Sequence, residues 1–505
     1  MRTGEEFLEA LNDGRRVFIQ GEQIANVATH PKTKGYSQQL AAFYDLHHRP
    51  ELEEVMTFVD DQGERHSKTW LLPRSEEDLA GFRRYQDYVA RMFGAAQFGR
   101  LPAVNNLSLF AFMENPEPWE ENSIGTDGIP LADNIRRFCS AAVEDDLHVS
   151  IVFQDVQADR SRPDVYRESP DLRVIDRNDE GIVINGTKGV STAAIWSDWL
   201  LVGTIYKPGM EEDQIMYLAV PANAPGVTQV GREPTQKPEG DPDHPLASLG
   251  DELESFVRFD NVFVPWEDVF HLGNPDHAKL YPQRAFDWIH YQDLTRQCVK
   301  AELLVGLALL ICDAIGTIRI PAIQMRLTDL VRFREALLAH LNAADATGFL
   351  TRTGVYRPNN RFYDFGRAMW LDDAPRMIYE LLDLVGRSTV LMPIAGDWEH
   401  PDLRPWLEGV MRGPIAQDER LKIVRVIRDL YLSEWGGRNA MFDNFNGMPL
   451  TATRLLTMNR TEYSPNGPLT AYARQICGLP LSEGQKTIEE EVTPEYARAI
   501  DAKTS

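Results

Sequence analysis

The order in which hydrophobic periodicity changes along this 505-residue chain constrains its fold more than any single motif. Within residues 1–140, apolar side chains recur every three or four positions over Glu5 to Asn12, Tyr36 to Leu46 and Ser75 to Met92, which predicts helices. Over 141–275 the texture becomes β-like. Leu172 to Asp176 and Gly181 to Asn185 flank a turn at Arg177 to Glu180, and Trp199 to Ile205, Gln214 to Val220 and Ser255 to Phe263 are β-branched or aromatic runs broken by Gly, Pro and Asp. Over 276–505 helical spacing returns in long segments at 295–318, 322–347, 363–390 and 415–435. Helices, then strands, then helices make an α+β chain of three domains with those boundaries. The order excludes βαβ alternation, and no GxGxxG follows a strand, so a Rossmann domain is not expected.

Charge narrows the partners. Lys and Arg number 52 against 76 Asp and Glu, a net charge of −24, which disfavours phosphate backbones and anionic membrane surfaces. The apolar run near Leu303 to Ile318 is interrupted by Asp313 and falls short of the about 20 residues that span a bilayer, so it reads as a core helix. The opening Met1 to Phe7 is polar and acidic, unlike a secretory signal, and a cytoplasmic location is expected. Cys139, Cys298, Cys312 and Cys477 are scattered without a CxxC pair, so neither a disulfide framework nor a metal site is expected. The acidic stretch from Glu489 reads as a solvated tail.

Several segments together resemble one family, the flavin-dependent 4-hydroxyphenylacetate 3-hydroxylases and related two-component aromatic monooxygenases. They are Thr3 to Val17, Val27-Ala-Thr-His-Pro31, the long match Asp243 to Val269 with its core Phe259-Asp-Asn-Val-Phe-Val-Pro-Trp-Glu267, and Glu434-Trp-Gly-Gly-Arg438 with Met441-Phe-Asp443. The resemblance implies a fold similar to acyl-CoA dehydrogenases: an N-terminal helical domain, a middle β-barrel and a C-terminal four-helix bundle, assembled as a homotetramer. It implies FAD used as FADH2 and supplied by a separate NAD(P)H-dependent flavin reductase. O2 then gives a flavin C4a-hydroperoxide that hydroxylates an electron-rich aromatic, of phenol or indole type and free or carrier-tethered, in secondary metabolism.

Residue by residue, Phe98-Gly-Arg100-Leu-Pro102 matches a segment whose arginine lines the active site, so Arg100 is the first catalytic and substrate-binding candidate. The family tyrosine four residues on is Val104 here, and the family histidine aligns with Ile151. His148 lies three residues before Ile151, an odd offset that turns it to the opposite strand face, so it serves as a base only on irregular backbone. Three explanations stay open: a substrate needing no deprotonation, a base entering from elsewhere such as His290 or a tyrosine, or a different flavin reaction. On the flavin side the resemblance implicates Gln157, Ala158, Asp159 and Arg160, Thr192 after Gly186-Thr-Lys188, and Phe442 and Asp443. Tyr206 and Lys207 align near a substrate-contacting turn, and the Pro- and Gly-rich Glu233 to Leu249 aligns with a mobile covering loop.

Two rival readings are an oxidase or dehydrogenase of the same fold and a non-catalytic derivative. A third, a radical dehydratase with an iron–sulfur cluster, needs cysteines where this chain has Gly99 and Ala103.

Overall fold

The computed structural model describes residues 1–114, 131–157, 170–458 and 463–486. The chain divides into two compact units, Met1–Asp443 and Asn444–Ser505. In the first, helices Gly4–Ala10, Lys34–Leu46 and Glu76–Met92 lie within a residue or two of the predicted spans at most ends. Thr3 caps the first through a reciprocal bond with Glu6, and Ser75 caps the third by accepting from the Asp78 N–H.

Among the described residues ahead of the long helices, twelve strands carry the β structure: β1 Val17–Ile19, β2 Glu22–Ile24, β3 Thr57–Val59, β4 Arg65–Ser67, β5 Val149–Val152, β6 Arg173–Arg177, β7 Gly181–Thr192, β8 Trp199–Gly203, β9 Met216–Pro221, β10 Val227–Gly231, β11 Glu254–Pro265 and β12 Val269–Leu272; a further short pair, Phe349–Leu350 with Tyr356–Arg357, lies between two of those helices. The twelve form a six-stranded sheet, in the order β2-β1-β10-β11-β7-β6, and a four-stranded sheet, in the order β12-β9-β8-β5, while β3 and β4 pair alone. The expected closed barrel is therefore corrected to open sheets among the described residues.

Alternation explains the layering. Leu200 and Val202 of β8 join Ile182, Ile184, Val257 and Phe259 in a core between the two sheets. Leu201 points the other way, with Val149 and Phe153, into a second core shared with Phe112, Phe138 and Tyr281 from helices. The four-stranded sheet is thus covered on both faces, which is why β8 and β9 read as unbroken apolar runs.

Four long helices follow: Pro275–Ala314, Pro321–Ala346, Asn360–Val385 and Gln417–Tyr431. The first packs on each of the other three. At one crossing a Cβ on Gly366 would come within 2.7 Å of Leu294, so only glycine allows that approach. The core helix expected near Leu303 to Ile318 is the end of a 40-residue element starting at Pro275, and Leu309 and Leu310 on it are exposed. No helix among the described residues is long and apolar enough to cross a membrane.

Candidate functional site

Glu252 organises the segment that carries Arg100. It sits just before β11 and is fully buried. One carboxylate oxygen accepts the Arg100 N–H at 2.5 Å, the Gly99 N–H at 3.1 Å and the Tyr36 hydroxyl at 2.9 Å. The other accepts Arg438 at 3.1 Å. Arg438 also pairs with Glu254, while Arg232 holds Glu254 and Asp251, both at 2.6 Å. The chain enters this segment through Ala95 and Ala96, both at positive φ (51° and 69°), a conformation costing on the order of 1–3 kcal/mol per residue unless its surroundings enforce it. A Cβ on Gly99 would lie 2.0 Å from the Phe442 ring, so glycine is required there.

The Phe442 ring is approached by three guanidinium groups, those of Arg438 at 4.9 Å, Arg296 at 5.4 Å and Arg100 at 5.9 Å from its centroid. Arg100 is buried, and burial lowers its affinity for a proton, opposed mainly by the Asp293 charge. Asp443 is buried, and Arg296 at 2.7 Å and Lys300 at 2.6 Å each bond one of its two oxygens. Burial alone would raise its pKa, but the two cations hold it below the usual carboxylate range. Lys300 is itself pushed down to about 8 by burial, against the pull of Asp443.

These partners share one face of the Pro275–Ala314 helix. His290, Asp293, Arg296 and Lys300 recur every three or four residues, and Asp364 and Arg367 of the Asn360–Val385 helix meet the first two. The His290 Nδ1 lies 3.2 Å from an Asp364 oxygen, with both side chains buried. A carboxylate only accepts, so Nδ1 carries a proton; in the neutral ring Nε2 is then the acceptor, and it has no hydrogen-bond partner among the described residues.

His148 stands elsewhere. It is fully buried ahead of β5; its N–H donates to Asp198 at 2.8 Å and its Nε2 meets Asn105 at 3.2 Å. Burial is the chief force pushing it down to about 4, so it is neutral at ordinary pH. Ile151 is on the opposite parity, half-buried against the apolar core with Phe153 and Tyr281, and Val104 is buried on the short Pro102–Asn105 helix. β5 pairs regularly in parallel with β8 from Val149 onward, and His148 precedes the paired residues. The expectation that it acts as base is not carried further.

Asp155 joins two other expected sets. Lys188 of β7 and Lys207 each donate to it at 2.6 Å, linking the strand before Gln157 to the Tyr206–Lys207 turn. Burial would raise Asp155, yet the two ammonium groups hold it below its ordinary value. Gln157 is exposed, and Tyr206 is half-buried with Lys279 4.9 Å from its ring centre. Ala158, Asp159 and Arg160 lie outside the described residues. Thr192 ends β7, and its hydroxyl makes no hydrogen bond among the described residues while its carbonyl accepts from Ser150. The Glu233 to Leu249 loop is tied down rather than free: Asp429 accepts the Leu246 and Ala247 N–H groups at 2.7 and 2.8 Å, and Asp243 holds Arg425 and the Ala395 N–H. With Lys34, Gln38 and Pro31 it lines a cleft of about 1100 Å³.

Whether these residues suit FAD is tested by their unsatisfied groups. Among the described residues, His290 Nε2, Gln292 Oε1, Arg296 Nε and Gln297 Oε1 on one helix, with Ser191 Oγ at the end of β7, are buried polar atoms without a partner. Such atoms are costly unless a polar group meets them. Arg296 Nε and Ser191 Oγ can donate and the other three accept, which suits a ligand with hydrogen-bonding edges, as the flavin ring of FAD is. Sequence reading missed Glu252, Arg438, Arg296, Lys300 and Asp155. The signal was present for some, since Asp251-Glu-Leu-Glu254 and Gly437-Arg438 lie inside the quoted segments, and His290, Asp293 and Arg296 follow helical spacing.

Comparison with known proteins matches most of the chain to one family. The 4-hydroxyphenylacetate 3-hydroxylase N-terminal family matches residues 3–271, and the corresponding C-terminal family matches residues 278–469. The chain is 50% identical to the 2,4,6-trichlorophenol monooxygenase of Cupriavidus pinatubonensis, covering 99% of this chain and 97% of that one. It is 47% identical to the FADH2-dependent monooxygenase TftD of Burkholderia cepacia over the same shares. The solved oxygenase component of 4-hydroxyphenylacetate 3-monooxygenase, complexed with FAD and 4-hydroxyphenylacetate, superposes with a TM-score of 0.86 at 26% identity, covering 95% of this chain and 98% of that one.

Proposed function

Because the chain belongs to the 4-hydroxyphenylacetate 3-hydroxylase family, we propose that it hydroxylates a free, single-ring phenol, with Arg100 and the His290–Asp364 pair as its working groups. It is an FADH2-dependent aromatic monooxygenase, the oxygenase half of a two-component system. The observation that carries the phenol reading is the His290–Asp364 pair: Asp364 fixes the tautomer, so Nε2 is the atom that takes the phenol proton. Arg100, held over Phe442, pairs with the resulting phenolate. The deprotonated ring is electron-rich, which answers the loss of the family histidine and tyrosine at Ile151 and Val104. Relatives at 46–50% identity are named for trichlorophenol and nitrophenol, whereas the relative named for a carrier-bound substrate is 26% identical, which favours the free phenol over the tethered or indole alternatives.

When bound, reduced FAD supplies the activation of O2 and the transfer of one oxygen atom to the ring. Thr192 would meet the ring system of the flavin, and Gln157, with Ala158, Asp159 and Arg160 beyond the described residues, would hold the rest. Val104 and Ile151 line the substrate side with hydrocarbon, and Tyr206 and Lys207 border it. A homotetramer and a division at 140 and 275 belong to the same proposal. An exposed apolar row across the open sheet, from Val230 to the paired Phe256 and on to Val190, supports association of copies. A cytoplasmic site, where an NAD(P)H-dependent reductase could supply FADH2, belongs to the same proposal.

The test supplies FADH2 from an unrelated flavin reductase to the purified protein with a panel of chlorinated and nitrated phenols. The reading expects hydroxylated product whose rate falls by about 10²–10⁴-fold in His290→Ala, the range typical of a lost general base. Unchanged turnover in that variant would remove His290 from the mechanism.

A further inference from the structure

We infer that Glu252 is a positioning residue for oxygenation: its buried carboxylate sets the backbone of Gly99–Arg100 and so aims the Arg100 guanidinium at the substrate oxygen. This rests on the reading of Arg100 given above. Four donors converge on this side chain, two of them main-chain N–H groups of the segment it would control. The same segment is closed on its other side by the Phe442 ring, against which Gly99 has no room for a Cβ. It is entered through two alanines at positive φ, a path a free loop would not keep. Glu252 therefore acts on Arg100 through the main chain, while Arg438 balances its charge and links it to the helix that carries Phe442. Trp435 on that helix donates to the Gly250 carbonyl at 3.0 Å, which fixes the approach to Glu252 from the other end.

The experiment is a double-mutant cycle in the full-length protein with FADH2 supplied by a separate reductase. Glu252→Gln keeps the shape and removes one acceptor and the charge. It is measured in the native background and in Arg100→Lys, with kcat and KM for one phenol. A second readout uses the bound-state absorbance of 4-nitrophenol, coloured only when ionised, in the presence of oxidised FAD. Misplacing a positioned group by a fraction of an ångström is expected to lower kcat roughly tenfold to hundredfold, with KM changed about threefold or less, and to reduce the bound phenolate signal. In the Arg100→Lys background the same substitution should cost about twofold or less, because the group it aims has already changed. Equal losses in both backgrounds would overturn the positioning role. Arg100→Lys alone leaving kcat and the phenolate signal untouched would instead overturn the reading of Arg100. Should Glu252→Gln not fold, Tyr36→Phe removes one of the four donors and enters the same cycle. It is expected to lower kcat about threefold in the native background only, and a background-independent loss would again contradict the proposal.

Discussion

The Gly99–Arg100 segment and the β5 strand around Ile151 both align with family site positions, yet they are built in opposite ways. Arg100 lies among charges, and those around it are partnered: Glu252 with Arg438, Asp443 with Arg296 and Lys300, Asp293 with Arg367. Ile151 lies in hydrocarbon, and the nearest titratable ring in sequence, His148, precedes the strand and is held neutral. Buried charge is retained on the helical side, while the strand side has none at the aligned positions. On the proposed function, the proton chemistry would belong to the Pro275–Ala314 helix, and the strand side would set which ring shapes fit.

The sharpest way to break this contrast is Asp443→Ala. It strands Lys300 as a buried cation and leaves Arg296 with Asp293 as its remaining carboxylate, at 3.4 Å, and removing one partner of a buried pair costs about 3–5 kcal/mol. Urea unfolding would show it; a loss below about 1 kcal/mol would mean the charges are already solvated. His148 gives the next effect. Against an ordinary value near 6.5, burial pushes it down to about 4, so between those pH values the unfolded chain binds a proton that the folded chain refuses. Its contribution is whole above pH about 6.5 and is lost as pH falls toward 4, up to about 3 kcal/mol. A His148→Gln variant should flatten that part of the stability–pH curve, and an unchanged curve would show that other groups dominate it. Smaller again, Asp155→Asn should raise the KM for substrate several-fold by loosening Lys207, with stability falling about 1–3 kcal/mol. The smallest effect is on the apolar side, where Ile151→Val should cost about 1 kcal/mol by leaving part of the core unfilled.

Periodicity carried most of the fold. The long helices and the strands over 173–177, 181–192 and 254–265 follow from spacing and turn residues, since each face meets a different environment. Closure of the sheet did not follow, because pairing across a sheet is not local and open and closed arrangements share the same alternation. Of the site, Arg100, Thr192, Phe442 and Asp443 were visible as matches to quoted segments. The roles of Glu252 and Asp155 were not legible, even though Glu252 lies within the Asp243 to Val269 match, because they come from donors 33 to 216 residues away in sequence. His148 shows where strand parity stops being a guide: the β5–β8 pairing begins at Val149, so the alternation expected for His148 does not reach it.

The most direct measurement of the function is the fate of isotopically labelled O2. The purified protein, given FADH2 and a chlorinated or nitrated phenol under labelled dioxygen, is predicted to place one labelled atom in the new ring hydroxyl, with product rising in step with FADH2 consumed. Product oxygen derived from water, or FADH2 consumption yielding only hydrogen peroxide across the phenol panel, would contradict it.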